Sequence, residues 1–145
     1  MKHVTFIPKS VAENIMPNPL DSTFLISIQD PLEYADIKHW KHEELIFHDV
    51  DEPMEGWIPF DELYAQKIID IANRGYDNLY VHCTMGVSRS AAVAKWIGDR
   101  YDEYELWLHP DGFGTIDMHN RFVYNTLERV AKTGLVGYYS QLENS

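Results

Sequence analysis

Cys83 is the only cysteine in 145 residues. A single thiol forms no internal disulfide, so the chain is not a disulfide-stapled secreted scaffold and must hold its core by burial. No apolar run approaches the roughly 18 residues of a membrane span. The opening MKHVTFIPKS lacks the long apolar core of a secretion signal. Basic residues are scarce, with 12 Lys and Arg against 23 Asp and Glu for a formal net charge of -11. That balance repels nucleic acid and anionic lipid, although it is compatible with a local basic pocket. No repeat, low-complexity tract or linker interrupts the chain. These absences predict a soluble, cytoplasmic protein without nucleic-acid or membrane partners. It should form one domain over 1–145, with 1–20 and 135–145 at its edges.

What is present alternates between strand and helix. HVTFI (3–7), TFLISI (23–28), ELIFHDV (44–50) and NLYVH (78–82) are apolar, β-branched runs of the kind that form buried strands. PNPLD (17–21) punctuates the first two. From Pro59 to Arg74, apolar residues recur at helical spacing, with Pro59 suited to the first turn and Gly75 to the position past the end. SAAVAKWIGDRY (90–101) and NRFVYNTLERVAK (120–132) read as two further helices, and GLVGYYSQLENS (134–145) carries no assignment. The expected fold is α/β, with a mostly parallel central sheet flanked by helices.

The cysteine sits in VHCTMGVSRS, residues 81–90, where a buried strand runs into a short loop and then a helix. Such a loop aims successive backbone N–H groups at one point and favours an anion there. Gly86 permits close backbone approach, and Arg89 offers a planar fork for two oxygens of a phosphoryl group. In that positive field the Cys83 thiol is expected to ionise readily and act as a nucleophile. An isolated cysteine is usually a small buried hydrophobe. Burial alone does not explain Gly86, Arg89 and Ser90 at these offsets after a strand.

His82-Cys83-x5-Arg89-Ser90, with Gly86 inside, resembles the signature of the cysteine-dependent protein tyrosine phosphatases, most closely the dual-specificity branch and its compact microbial or viral members. The resemblance implies a metal-free and cofactor-free two-step hydrolysis through a phosphocysteine on Cys83. It implies that Thr84, Met85, Gly86, Val87, Ser88 and Arg89 bind the phosphoryl group. It also implies that Ser90 helps the thiolate leave, that His82 orders the loop and tunes the thiol, and that Asn120 braces the loop. Asn120 is equally well placed to be an N-cap.

The leaving oxygen needs a proton, so a general acid is required. In this family it is an Asp on an upstream loop, and FHDVDEP (47–53) offers two. Asp51 lies 32 positions before Cys83 and fits the family spacing better. Asp49 ends the apolar strand and fits the local pattern. Both stay open, with Asp51 preferred; Glu52 and Glu55 are expected to face solvent, and His48 to be packed or at the surface.

His39 and His42 have metal-ligand spacing but no third ligand, so they are expected to be surface histidines. The four tryptophans are expected mostly in the core; for Trp57, which follows the acid loop, the alternative to core packing is the mouth of the substrate site. LHPDGFGT (108–115) is expected as an exposed turn. The phosphate loop contains no lysine, unlike phosphoinositide-directed relatives. The reading is therefore a phosphoprotein substrate, phosphotyrosine with phosphoserine or phosphothreonine beside it. The alternatives are an RNA 5′-phosphate or phosphoinositide phosphatase and a phospho-binding pseudo-phosphatase. An arsenate reductase is disfavoured because it needs further thiols.

Overall fold

The computed structural model describes residues 1–112 and 115–143. The elements run β1 (Lys2–Pro8), α1 (Lys9–Asn14), β2 (Thr23–Gln29), β3 (His42–Ile46), α2 (Glu62–Asn73), β4 (Asn78–Cys83), α3 (Arg89–Arg100), β5 (Tyr104–Leu106) and α4 (Arg121–Glu143). The five strands form one all-parallel sheet in the order β3-β2-β4-β1-β5, so the fold is α/β. β4 is central, with Pro8 beside Cys83 on one flank and Ser27 beside His82 on the other.

Both faces of the sheet are covered, which is why β1, β2 and β4 read as nearly continuous apolar runs. One face packs on α2, α3 and α4, burying Ile68, Ile71, Val93, Trp96, Val123 and Leu127 with Val4, Phe6, Ile26 and Val81. The other is closed by α1 and the segment leading to Trp40, with Ile7, Ala12, Leu25 and Ile37 beneath. Each large aliphatic side chain buried this way stabilises the fold by roughly 1.5–3 kcal/mol. The long 30–41 connection is pinned by the Trp40 indole N–H, which donates to Ala12 O at 2.8 Å.

Several boundaries differ from the sequence expectation. The third strand ends at Ile46, not at residue 50, because its only neighbour, β2, ends at Gln29 just before Pro31. Phe47 N makes the last bond, to Gln29 O, and His48 N turns instead to Ile58 O at 2.7 Å. The second helix begins at Glu62 and not at Pro59. Asp61 is its N-cap and its carboxylate accepts from Tyr64 N at 2.9 Å, leaving Pro59 outside. Gly75 does follow the helix, at φ +76°. The third helix starts at Arg89 and is capped by Tyr101, and the fourth runs on to Glu143 across a non-helical Gly134. The helix α1 and the strand β5, six and three residues long, were not anticipated. Trp40 and Trp96 are buried, but Trp57 and Trp107 are about half exposed, 50% and 43%. The expected turn at 108–115 falls partly on residues 113–114, outside the described residues.

Candidate active site

All five strands point the same way, so their carboxyl ends share one edge of the sheet. The chain leaves β2 toward β3 and leaves β4 toward β5, in opposite directions. A crevice between strands that part this way is where parallel α/β sheets bind ligands. Cys83 ends β4 at that point, and residues 84–88 join it to α3.

Gly86 fixes the loop's shape. It has φ +71°, and a Cβ there would lie 2.4 Å from Pro8 N and 2.6 Å from the Ile7 carbonyl carbon. Both contacts are backbone, so no side chain is accommodated and the loop lies flat on the end of β1. Lys9 N donates to Thr84 O and Asn120 N to Ser88 O, anchoring the loop through its carbonyls. Among the described residues, no backbone N–H from Thr84 to Ser88 donates to a protein acceptor. The donors of five successive residues are thus left for something else, as in an anion-binding nest.

Cys83 is 2% exposed, and its Sγ lies 3.1 Å from Ser90 Oγ. Either group can donate to the other at that distance. Arg89 is 4% exposed. Its Nη1 donates to Phe47 O at 2.6 Å and to Asp30 Oδ1 at 2.8 Å, while Nη2 reaches Asp30 Oδ2 only at 3.4 Å. Its Nε has no partner. A buried donor without an acceptor costs about 1–3 kcal/mol, a cost that a bound anion removes.

Asp30 and Glu33 were not singled out from the sequence. Thr84 Oγ1 lies 3.0 Å from Asp30 Oδ2 and 2.9 Å from Glu33 Oε2, so its one proton is shared between the two carboxylates, and Lys9 Nζ lies 3.2 Å from Glu33 Oε1. Burial pushes the Asp30 carboxyl up. The Arg89 charge and the bonds from Arg89 and Thr84 outweigh it, leaving Asp30 below the ordinary carboxylate range. The signal that was present is its position: Asp30 follows a buried strand at the same sheet edge as Cys83.

Asp49 and Asp51 part company. Asp49 Oδ1 accepts from Ser88 Oγ at 2.8 Å and from Asn120 Nδ2 at 2.7 Å. Asp51 instead lines a depression of about 520 Å³ along α4 with His119, Arg121 and Phe122. Between them Val50 turns inward, 8% exposed. Asn120 serves in both anticipated ways. Its Oδ1 accepts from Val123 N as an N-cap, and its Nδ2 holds Asp49 and Val50 O. Met85 projects outward, 62% exposed. Glu52 and Glu55 face solvent. His48 Nδ1 accepts from Ile58 N and the ring meets Trp57 edge-on at 4.7 Å, closing the base of the loop that carries both aspartates. His39 and His42 do not share a helix: each bonds a backbone carbonyl, Ala12 O and Trp40 O.

His82 points to the opposite face from Cys83, and its Nε2 lies 2.6 Å from Ser27 Oγ. Burial pushes its imidazole down from 6.5 to about 4. Between those values the unfolded chain binds a proton that the folded one refuses, so stability rises with pH across the window. Acidification from pH 6.5 to 4 should cost about 3 kcal/mol through this residue alone. Urea melts across that range should show the slope in the wild type and a flatter profile in His82→Gln. An unchanged slope in the variant would mean that His82 titrates normally.

No family model, no curated protein and no solved structure matches the chain.

Proposed function

We propose that the protein is a cysteine-dependent phosphoprotein phosphatase that hydrolyses phosphotyrosine and, in the same site, phosphoserine or phosphothreonine. One observation carries this reading. The unpartnered loop N–H groups of residues 84–88 and the unpartnered Arg89 Nε are gathered where the chain places its only thiol. A phosphoryl dianion satisfies all of these donors and presents phosphorus to Cys83 Sγ.

The chemistry balances with the residues present. The Cys83 thiolate attacks phosphorus, an S–P bond forms and the ester P–O bond breaks. The departing oxygen takes a proton from an aspartic acid. Water then attacks the phosphocysteine and gives its proton to the same carboxylate. The S–P bond breaks, inorganic phosphate leaves, and Ser90 donates to the returning thiolate. No metal or cofactor enters the scheme.

For the proton donor the geometry favours Asp49 over the residue that spacing preferred. Two donors hold its Oδ1, which leaves Oδ2 to carry the transferable proton. Asp51 faces a depression on α4 instead. A thiol with no second cysteine to protect it suits a reducing compartment, which supports a cytoplasmic site of action.

Hydrolysis of p-nitrophenyl phosphate tests the reading. The wild type should turn over in the presence of EDTA, and Cys83→Ser should lose detectable turnover while still binding inorganic phosphate. Persistent activity in Cys83→Ser, or loss of wild-type activity with EDTA, would exclude the thiol mechanism.

A further inference from the structure

We propose that Leu32 is a specificity-determining residue, an apolar contact at the mouth of the site for the ring of an aryl phosphate such as phosphotyrosine. The proposal rests on the phosphatase reading of the same site. Glu33 N donates to Asp30 O at 3.1 Å across a four-residue turn with Pro31 second and Leu32 third, at φ +67°. That is the pattern of a type II turn, whose third position ordinarily takes glycine. Among the described residues, Leu32 is the one non-glycine with a positive φ. A leucine in that region strains its backbone, and such strain concentrates at functional sites. Leu32 is also fully exposed, at 108%, so packing within the fold does not explain it. A side chain that strains its own backbone and packs on nothing in the chain is accounted for by a contact outside the chain.

The turn sits beside the phosphate loop. Asp30 Oδ2 and Glu33 Oε2, on either side of Leu32, lie 3.0 and 2.9 Å from Thr84 Oγ1, and Thr84 directly follows Cys83. Both carboxylates are engaged inward, with Thr84, Arg89 and Lys9, which leaves Pro31 and Leu32 as an apolar tip. Met85, the next residue of the loop, is 62% exposed. Two large apolar side chains thus stand on two hydrogen-bonded turns, next to the unpartnered N–H groups of residues 84–88. Cys83 is 2% exposed, so a phosphoryl group that reaches it draws the rest of its ester into the mouth. An aryl ring brings apolar area to that rim. Phosphoserine brings one methylene and then polar backbone, which gains little there. Contact with a ring is the same in the bound substrate and in the transition state, so it lowers KM and leaves kcat alone.

In Leu32→Asn, KM for a phosphotyrosine peptide should rise about 5–10-fold, the worth of part of a leucine side chain covered by a ring. Its kcat should not change, nor should kcat/KM for the phosphoserine peptide of otherwise identical sequence. Asparagine tolerates the left-handed conformation, so the turn and its two carboxylates stay in place. Leu32→Met keeps an apolar side chain and should keep the low KM. Leu32→Gly should show the same rise in KM with a melting temperature no lower than that of the wild type. Relief of the strain there offsets the greater freedom of glycine in the unfolded chain. An unchanged KM in Leu32→Asn, an equal loss on phosphoserine, a fall in kcat in place of the rise in KM, or a lower melting temperature in Leu32→Gly overturns the proposal.

A second arm needs no turnover. By calorimetric titration the wild type should bind benzylphosphonate about 5–10-fold more tightly than methylphosphonate, and Leu32→Asn should lose most of that preference. No preference in the wild type, or one that persists undiminished in the variant, overturns the role of Leu32. If the preference is found in the wild type and lost in the variant but no phosphate ester is hydrolysed, the phosphatase reading fails and the role of Leu32 stands.

Discussion

Asp49→Asn is expected to slow hydrolysis of a phosphotyrosine peptide by about 10²–10⁴-fold, the usual worth of a general acid to a poor leaving group. The deficit should shrink on a highly activated aryl phosphate, whose phenolate leaves without a proton. An asparagine offers one side-chain oxygen, and one oxygen is what Ser88 and Asn120 use on Asp49. The loop should therefore stay in place, and the loss reports proton transfer and not misfolding. Asp51→Asn should behave like the wild type on both substrates, because Asp51 lines the depression along α4 and, among the described residues, makes no bond to the loop 84–88 or to Asn120. Parallel kcat/KM measurements on the two substrates decide the matter. A leaving-group-dependent loss in Asp51→Asn would restore the spacing argument, and no loss in either variant would move the donor out of FHDVDEP.

Arg89→Lys preserves the charge and should still lose about 10²–10³-fold in kcat, as for removal of a preorganised transition-state donor. Lysine is a point charge without the planar fork. It cannot bond Asp30 and Phe47 O while presenting two parallel N–H groups to phosphorus-bound oxygens. Charge and geometry at those oxygens are redistributed as the phosphoryl group passes through its transition state, so the loss should fall on kcat more than on affinity for inorganic phosphate. Steady-state kinetics with phosphate as competitive inhibitor measures both. Near-normal turnover in Arg89→Lys would mean that the side chain does not engage the phosphoryl group.

The strand–loop–helix unit around Cys83 was legible because Cys83, Gly86, Arg89 and Ser90 lie within eight residues, where sequence offset and spatial offset nearly coincide. The buried parallel strands were legible for a similar reason: β2 shows the same apolar run in the sequence as in its burial. Asp30 was not, since it stands 59 residues from Arg89 and is brought there only because β2 pairs with β4. Spacing to Cys83 preferred Asp51 over Asp49, but it carries no information on where either side chain points. The two lie on an irregular loop, where side-chain direction is set by the inward turn of Val50 and the grip of Asn120, 71 residues away. The expected third strand overran because its stop signal, Pro31, lies on its neighbour. The six residues of α1 and the three of β5 are too short for any periodicity to register. Trp57 was expected in the core on composition, yet it stands half exposed against His48 at the neck of the aspartate loop.

The most direct measurement is a rapid acid quench of the wild type during turnover of an aryl phosphate, followed by peptide mass spectrometry. The thiol mechanism requires one phosphoryl group, carried on Cys83 in the peptide spanning residues 81–90. It should accumulate further in Asp49→Asn with an activated substrate, because that carboxylate also assists the water that removes it. A phosphoryl group on Ser88 or Ser90, or turnover with no phosphorylated peptide in either protein, would contradict the account.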